Sequence, residues 1–269
     1  MGIVIALAGK GGTGKTTLAA IIIGLLARKG TVLGVDGDPN TNLPAALGVE
    51  VEETVGDVRE EMLNRIRKGS FDASVPKQDY LEVRINQALV ETPGFDVIAM
   101  GRPEGKGCYC AANNMLRLCL ERLVNSYDYV VIDNEAGMEH LSRQRSGDID
   151  LLLLVSDPSL RGLTAARRIK ELVGELGIRV GRVALIINRV RRRLSPEMME
   201  QANSLELIAI LEEEEEIARR DEEGTPLIPL PLDSPLQAAI EDILLRLGLT
   251  KAKVSAGEGT GGSGQERSR

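Results

Sequence analysis

Short apolar runs separated by segments with helical spacing recur along the chain to about position 250. The candidate strands are 2–9, 31–38, 95–101, 128–133, 150–157, 182–190, 205–211 and 226–231. Several carry apolar residues at both odd and even positions, so both faces of those strands are apolar. Parallel strands covered by helices on each side have this pattern, whereas a sheet with one wet face alternates. Between them, 112–125 and 161–176 repeat apolar residues at helical spacing. The predicted fold is α/β, a doubly wound, mostly parallel sheet with helices on both faces. Residues 50–93 are charged and mostly helical in pattern, an excursion on the surface of that domain. From Lys251 onward the chain is polar and rich in Gly and Ser, a composition that cannot bury a core. The domain is therefore expected to span 1–250 and the tail, 251–269, to be disordered.

Composition narrows the partners. With 269 residues, 43% of them hydrophobic, the chain can bury the core of one large domain and needs no second. Its 33 basic and 40 acidic residues give a net charge of -7, which argues against a general nucleic-acid binder. Three cysteines and no secretory leader point to a reducing cytoplasm. The N-terminal apolar run is too short to cross a bilayer, and no later segment is a membrane-spanning candidate.

The strongest chemical signal is GKGGTGKT at 9–16, which satisfies G-x-x-x-x-G-K-[ST] directly after a predicted strand and at the start of a predicted helix. In that context Gly11, Gly12, Thr13 and Gly14 turn backbone N–H groups toward phosphate oxygens, and the helix N-terminus adds its dipole. Lys15 would contact the β- and γ-phosphates, the Thr16 hydroxyl would ligate Mg²⁺, and Thr17 continues the cradle. ATP and Mg²⁺ are the expected ligands. A second signal is EGKGCYC at 104–110, which sets Cys108 and Cys110 one residue apart in a glycine-rich loop. Thiolate sites for zinc or iron–sulfur clusters normally take four ligands. Either the pair is incidental or a second chain completes the site.

KGGTGKT at 10–16 resembles the deviant Walker A motif of the MinD/ParA/nitrogenase-iron-protein class of ATPases. The resemblance implies an ATP-dependent homodimer in which Lys10 reaches the nucleotide of the partner. It makes Asp38, in VDGDPNTNL, the residue that positions the attacking water in switch I. It gives Asp133 a water-mediated hold on Mg²⁺, and Gly137 the switch II contact to the γ-phosphate. Asn188 would read the adenine edge, with Pro231 and the surrounding PLPLD completing the base pocket. Asp36 is as readily a turn residue as a switch residue.

In that class the rim carrying the phosphate loop is also the dimer face, and EGKGCYC follows a predicted strand toward the same rim. A symmetric dimer would then bring two Cys108/Cys110 pairs into one four-thiolate site. GCYC followed by NNMLR, together with DNEAGMEHLSR at 133–143, resembles the CooC/AcsF-type nickel-insertion ATPases over about residues 1–250. That resemblance implies a metallochaperone that holds Ni²⁺, or Zn²⁺, between paired CxC loops and serves a client nickel enzyme, carbon monoxide dehydrogenase or acetyl-CoA synthase. The rival is an iron–sulfur ATPase reductase resembling the nitrogenase iron protein, which takes a switch II cysteine that this chain lacks.

A MinD-type membrane ATPase would end in a basic amphipathic helix, and this chain ends in a polar tail. A ParA-type protein would carry a DNA-binding basic surface, and RVRRR at 189–193 reads as a solvated loop. No membrane and no nucleic-acid partner is expected. Cys119 reads as core packing, His140 as structural or exposed, and the acidic run at 211–216 as the start of a helix.

Overall fold

The computed structural model describes residues 2–71, 74–101, 110–134 and 149–249. Its sheet consists of β1 (Ile3–Ala8), β2 (Val32–Asp36), β3 (Val90–Glu91), β4 (Asp96–Ala99), β5 (Tyr129–Asp133), β6 (Ile149–Ser156), β7 (Val180–Val190) and β8 (Leu207–Glu212). The order is β3-β4-β2-β5-β1-β6-β7-β8, and every neighbouring pair is parallel except β3 with β4. The doubly wound parallel sheet expected from the apolar runs is present.

Alternate residues of the central strands feed two cores. Ala6 and Ala8 of β1, with Leu152 and Leu154 of β6, pack into one, whereas Ile5 and Leu7, with Leu151, Leu153 and Val155, pack into the other. The second core is covered by α1 (Lys15–Leu26), α2 (Asn42–Leu47) and α9 (Pro235–Arg246). The first is covered by α3 (Val55–Arg67), α4 (Lys77–Ala88), α5 (Cys110–Val124), α6 (Leu160–Glu175) and α7 (Pro196–Asn203). A further helix, α8 (Glu215–Glu223), sends Ile217 into the second core. No helix among the described residues is long and apolar enough to cross a membrane.

Three expectations change. Residues 50–93 are more than a surface excursion: Val55, Val58, Met62, Leu63, Leu81 and Ile85 are each no more than 2% exposed and close one face of the sheet. The charge on α3 and α4 lies outside that buried stripe, for example where Arg84 pairs with Glu53 and Glu61. Second, 226–231 forms no strand. Pro226, Pro229 and Pro231 lack the N–H that a ladder needs, and the segment attaches through Leu227 N donating to Ala46 O at 2.8 Å. Third, the two-residue β3 is too short to leave a period in the sequence. Cys119 is 3% exposed, as core packing requires.

The start of α3 is fixed to the end of β4. Thr54 caps the helix by accepting from Asp57 N, and the Asp57 carboxylate accepts from Thr54 N. Gly56 N donates to Met100 O at 3.0 Å. Gly101, at φ 65°, leaves no room for a Cβ, which would lie 2.3 Å from Thr54 Oγ1.

Candidate nucleotide site on the carboxyl rim

β1 ends at Ala8, and residues 9–14 form the loop that delivers the chain into α1. Gly12 and Gly14 take φ values of 79° and 87°, a left-handed region that costs glycine little. Gly14 also abuts Asn188, whose Nδ2 would lie 2.4 Å from an added Cβ. Within the loop, Thr13 Oγ1 donates to Lys10 O at 2.9 Å, and Lys15 Nζ to the same oxygen at 3.4 Å. α1 opens on Gly14 without a side-chain cap, so no side chain occupies its first N–H groups. Uncapped N–H groups, the helix dipole and Lys15 together make an anion site.

Two carboxylates stand beneath this loop. Asp36 ends β2 and Asp133 ends β5, directly opposite each other in parallel register. Asp36 is wholly buried; its Oδ1 accepts from Asp38 N at 2.8 Å and its Oδ2 from Leu43 N at 2.9 Å. It is therefore the brace that turns the chain from β2 into α2. Burial, reinforced by the charges of Asp133 and Asp38, pushes its carboxyl up to about 7 in spite of those two bonds. Asp133 is 1% exposed, and its Oδ2 accepts from Thr16 Oγ1 at 2.6 Å. Burial raises Asp133 to about 6, against the lowering effect of Thr16 and Lys15. Its Oδ1 is buried without a hydrogen-bond partner. An orphaned carboxylate oxygen beside a threonine hydroxyl, next to an anion cradle, fits a hydrated Mg²⁺.

A cavity of about 480 Å³ lies along the loop and is lined by Gly11, Gly12, Gly14, Lys15, Thr16 and Thr17 on one side. Asp38, Asn40 and Asn42 line a second side, and Arg189, Arg220 and Asp221 a third. Asp38 thus shares a cavity with Lys15 and Thr16, with its Oδ1 accepting from Asn40 N at 2.8 Å and its Oδ2 from Asn42 Nδ2 at 3.2 Å. Lys10 points away: its half-exposed ammonium lies 4.0 Å from Asp157, beyond the end of β6. Asn188 is buried at 4% exposure and donates from Nδ2 to Thr13 O at 2.9 Å. That bond uses one of the two Nδ2 hydrogens, and the carbonyl oxygen is the side chain's acceptor. Pro231 sits on an exposed turn, accepting from Ser234 N, and is not brought to this cavity. Gly137, Cys108 and His140, as well as the side chain of Cys110, lie outside the described residues, as do residues 250–269. Among the described residues no cluster of three or more metal-binding side chains exists.

Residues 4–227 match the CobQ/CobB/MinD/ParA nucleotide binding domain. The chain belongs to this family. An uncharacterized ATP-binding protein of Methanocaldococcus jannaschii is 42% identical over 243 residues, covering 89% of this chain and 96% of the relative. The carbon monoxide dehydrogenase accessory protein CooC of Rhodospirillum rubrum is 29% identical over 234 residues, covering 82% of this chain and 87% of the relative. The solved septum site-determining protein MinD of Pyrococcus horikoshii, complexed with Mg-ADP, superposes with a TM-score of 0.66 at 23% identity, over 92% of this chain and 96% of that one. This last likeness speaks to fold. For a CobQ/CobB/MinD/ParA domain the sequence pattern locates the loop well, but it misses Arg189. That residue sits inside the arginine run expected to be a solvated loop, and it instead donates from Nη1 to Gly12 O at 3.1 Å. The signal available was its position directly after Asn188, at the carboxyl end of a parallel strand.

Proposed function

We propose that this protein is an ATP-hydrolysing homodimer that assists nickel insertion into a client enzyme, carbon monoxide dehydrogenase or acetyl-CoA synthase, in the cytoplasm. The ATPase half of the reading is supported by the uncapped α1 terminus, by Lys15, Thr16 and Asp38 lining one cavity, and by Asp133 accepting from the Thr16 hydroxyl behind them. Thr16 and, through water, Asp133 would hold Mg²⁺, which when bound neutralises charge on the β- and γ-phosphoryl oxygens. Lys15 holds phosphate, and Asp38 orients the attacking water once nucleotide draws it from Asn40 and Asn42. Lys10 acts on the nucleotide of the partner. Its position outside its own cavity, half exposed, supports that role.

The observation that carries the nickel half is the departure point of the CxC stretch. β4 ends at Ala99 directly beside Asp36, and Met100 N donates to Asp36 O at 2.8 Å. The chain that leads to Cys108 and Cys110 therefore leaves from the same rim as the phosphate loop. Two chains facing each other across that rim join two thiol pairs into one site of four thiolates, which suits Ni²⁺ as cargo and Zn²⁺ as its competitor. The relation to CooC adds the client class. ATP closes the dimer around the metal, and hydrolysis opens it toward the client. Residues 1–250 form the ATPase domain, and 251–269 a polar tail.

The deciding experiment is an absorption spectrum of anaerobically purified protein, followed by a Ni²⁺ titration with and without a non-hydrolysable ATP analogue. A colourless protein taking up one Ni²⁺ per dimer, more tightly with the analogue, is expected. Cys108→Ala and Cys110→Ala should each abolish uptake while Cys119→Ala retains it. Broad iron–sulfur bands overturn the nickel reading in favour of an electron-transferring reductase. One metal per monomer overturns the shared site.

A further inference from the structure

Asn188 and Arg189 follow one another near the end of β7, and each holds a successive carbonyl of the phosphate loop. Arg189 Nη1 donates to Gly12 O at 3.1 Å and Asn188 Nδ2 to Thr13 O at 2.9 Å. In a trans peptide the C=O and the following N–H point opposite ways. Fixing Gly12 O from behind therefore turns Thr13 N–H away from Arg189, and fixing Thr13 O does the same for Gly14 N–H. Arg189 adopts φ 59°, a left-handed conformation unusual for a residue with a Cβ. Its Nη2 lies 3.7 Å from Asp221 Oδ2 on α8. Arg189 and Asp221 both line the cavity that contains Lys15 and Thr16, and both also line an adjoining cavity of about 210 Å³ walled by Asn188, Glu214, Ile217 and Leu236. The pair stands at the junction of the two.

We propose that Arg189 is a positioning residue for a nucleoside polyphosphate, and that with Asp221 it forms a latch between the phosphate loop and α8 that slows nucleotide departure. The inference rests on the nucleotide reading above and adds to it the element that sets residence time. A nucleotide with its phosphates in the first cavity and its base in the second runs beneath the pair and leaves when the pair parts. Two contributions separate by residue. Loss of Arg189 removes a charge-assisted hydrogen bond to the loop as well as the latch, whereas loss of Asp221 removes the latch alone. Both are side-chain effects, because glycine adopts the backbone of position 189 without strain.

The test is stopped-flow dissociation of a fluorescent Mg-ATP analogue from the full chain, chased with excess ATP. Arg189→Ala should raise the dissociation rate on the order of tenfold or more, the scale of one charge-assisted hydrogen bond. Asp221→Asn should raise it about two- to fivefold, the scale of a half-exposed ion pair. The double variant should be no faster than Arg189→Ala, and Arg189→Lys should fall between it and the parent. Arg189→Gly should dissociate as fast as Arg189→Ala, which separates the side chain from any folding defect. Arg192→Ala, an exposed neighbour outside both cavities, should keep the parental rate. Parental dissociation in Arg189→Gly, or effects of the two sites that multiply in the double variant, would overturn the latch. Failure of the parent to bind the analogue would overturn the nucleotide reading and the latch with it.

Discussion

The carboxyl rim around the phosphate loop has two unlike walls. One is made by the ends of β2 and β5, where Asp36 and Asp133 are 0% and 1% exposed and stand opposite each other in parallel register. The other is made by the end of β7 and by α8, where the Arg189 and Asp221 side chains are 37% and 64% exposed. Charges on the first wall are desolvated and govern stability and protonation; those on the second are screened by water and govern how long a ligand stays. Burial, more than residue type, separates the two roles, since an aspartate stands on each wall.

The largest expected effect bridges neither wall. Lys10→Ala should cut hydrolysis on the order of 10³-fold, as loss of a trans-acting charge does in phosphoryl transfer, while leaving ATP binding largely intact. Parental turnover by purified Lys10→Ala breaks the dimer mechanism. On the buried wall, both raised carboxyls bind their proton more tightly folded than unfolded. Their contribution to stability is full below about pH 4 and is lost as pH rises through about 6 to 7. At about 1.4 kcal/mol per tenfold change in proton affinity, the ceiling for Asp36 is on the order of 4 kcal/mol. The half-buried Glu213 and Glu216, lowered by their arginine partners, act below that window and with the opposite sign. Urea midpoints of nucleotide-free protein should therefore fall between pH 4.5 and 7.5. In Asp36→Asn they should fall less steeply from a lower starting value, because the amide cannot accept both backbone N–H groups. A rising midpoint breaks the contrast.

Two glycines of one motif sharpen it further. Gly14→Ala combines a left-handed backbone with a clash against Asn188, whereas Gly12→Ala meets nothing within 4 Å and carries only the backbone strain. Gly12→Ala should cost about 1–2 kcal/mol and Gly14→Ala about 1–3 kcal/mol more in thermal or urea unfolding. Equal losses would mean that Asn188 gives way freely. The smallest effect belongs to the exposed wall. Raising NaCl from 0.1 to 0.5 M should change the analogue dissociation rate of the parent by about two- to threefold and leave that of Asp221→Asn nearly flat.

Much of this was legible before the structure. The apolar runs located seven of the eight strands because parallel strands buried on both faces must be apolar at successive positions. GKGGTGKT located the loop because few other patterns turn that many N–H groups inward. Asp36 was undecided, since a strand-end carboxylate serves a turn or a switch equally well until its two backbone donors are seen. Arg189 was hidden by composition: four arginines in five residues look solvated, and the place of the first directly after Asn188 is the one cue in the sequence that its side chain turns back to the phosphate loop. The apolar run at 226–231 misled because its prolines outweigh its hydrophobicity.

The knot between Thr54, Gly56 and Met100–Gly101 bears on how this domain can diverge or be redesigned. The segment that carries the thiols begins one residue beyond a glycine that tolerates no side chain, and the obstacle is a residue from the charged region 50–93. That region cannot be shortened, swapped or allowed to drift as a free insertion. A larger residue at 54, or any residue but glycine at 101, would shift the Met100–Gly101 corner from which the chain runs on to the two thiols. The two stretches form a single inheritable unit, although nearly fifty residues of chain separate them.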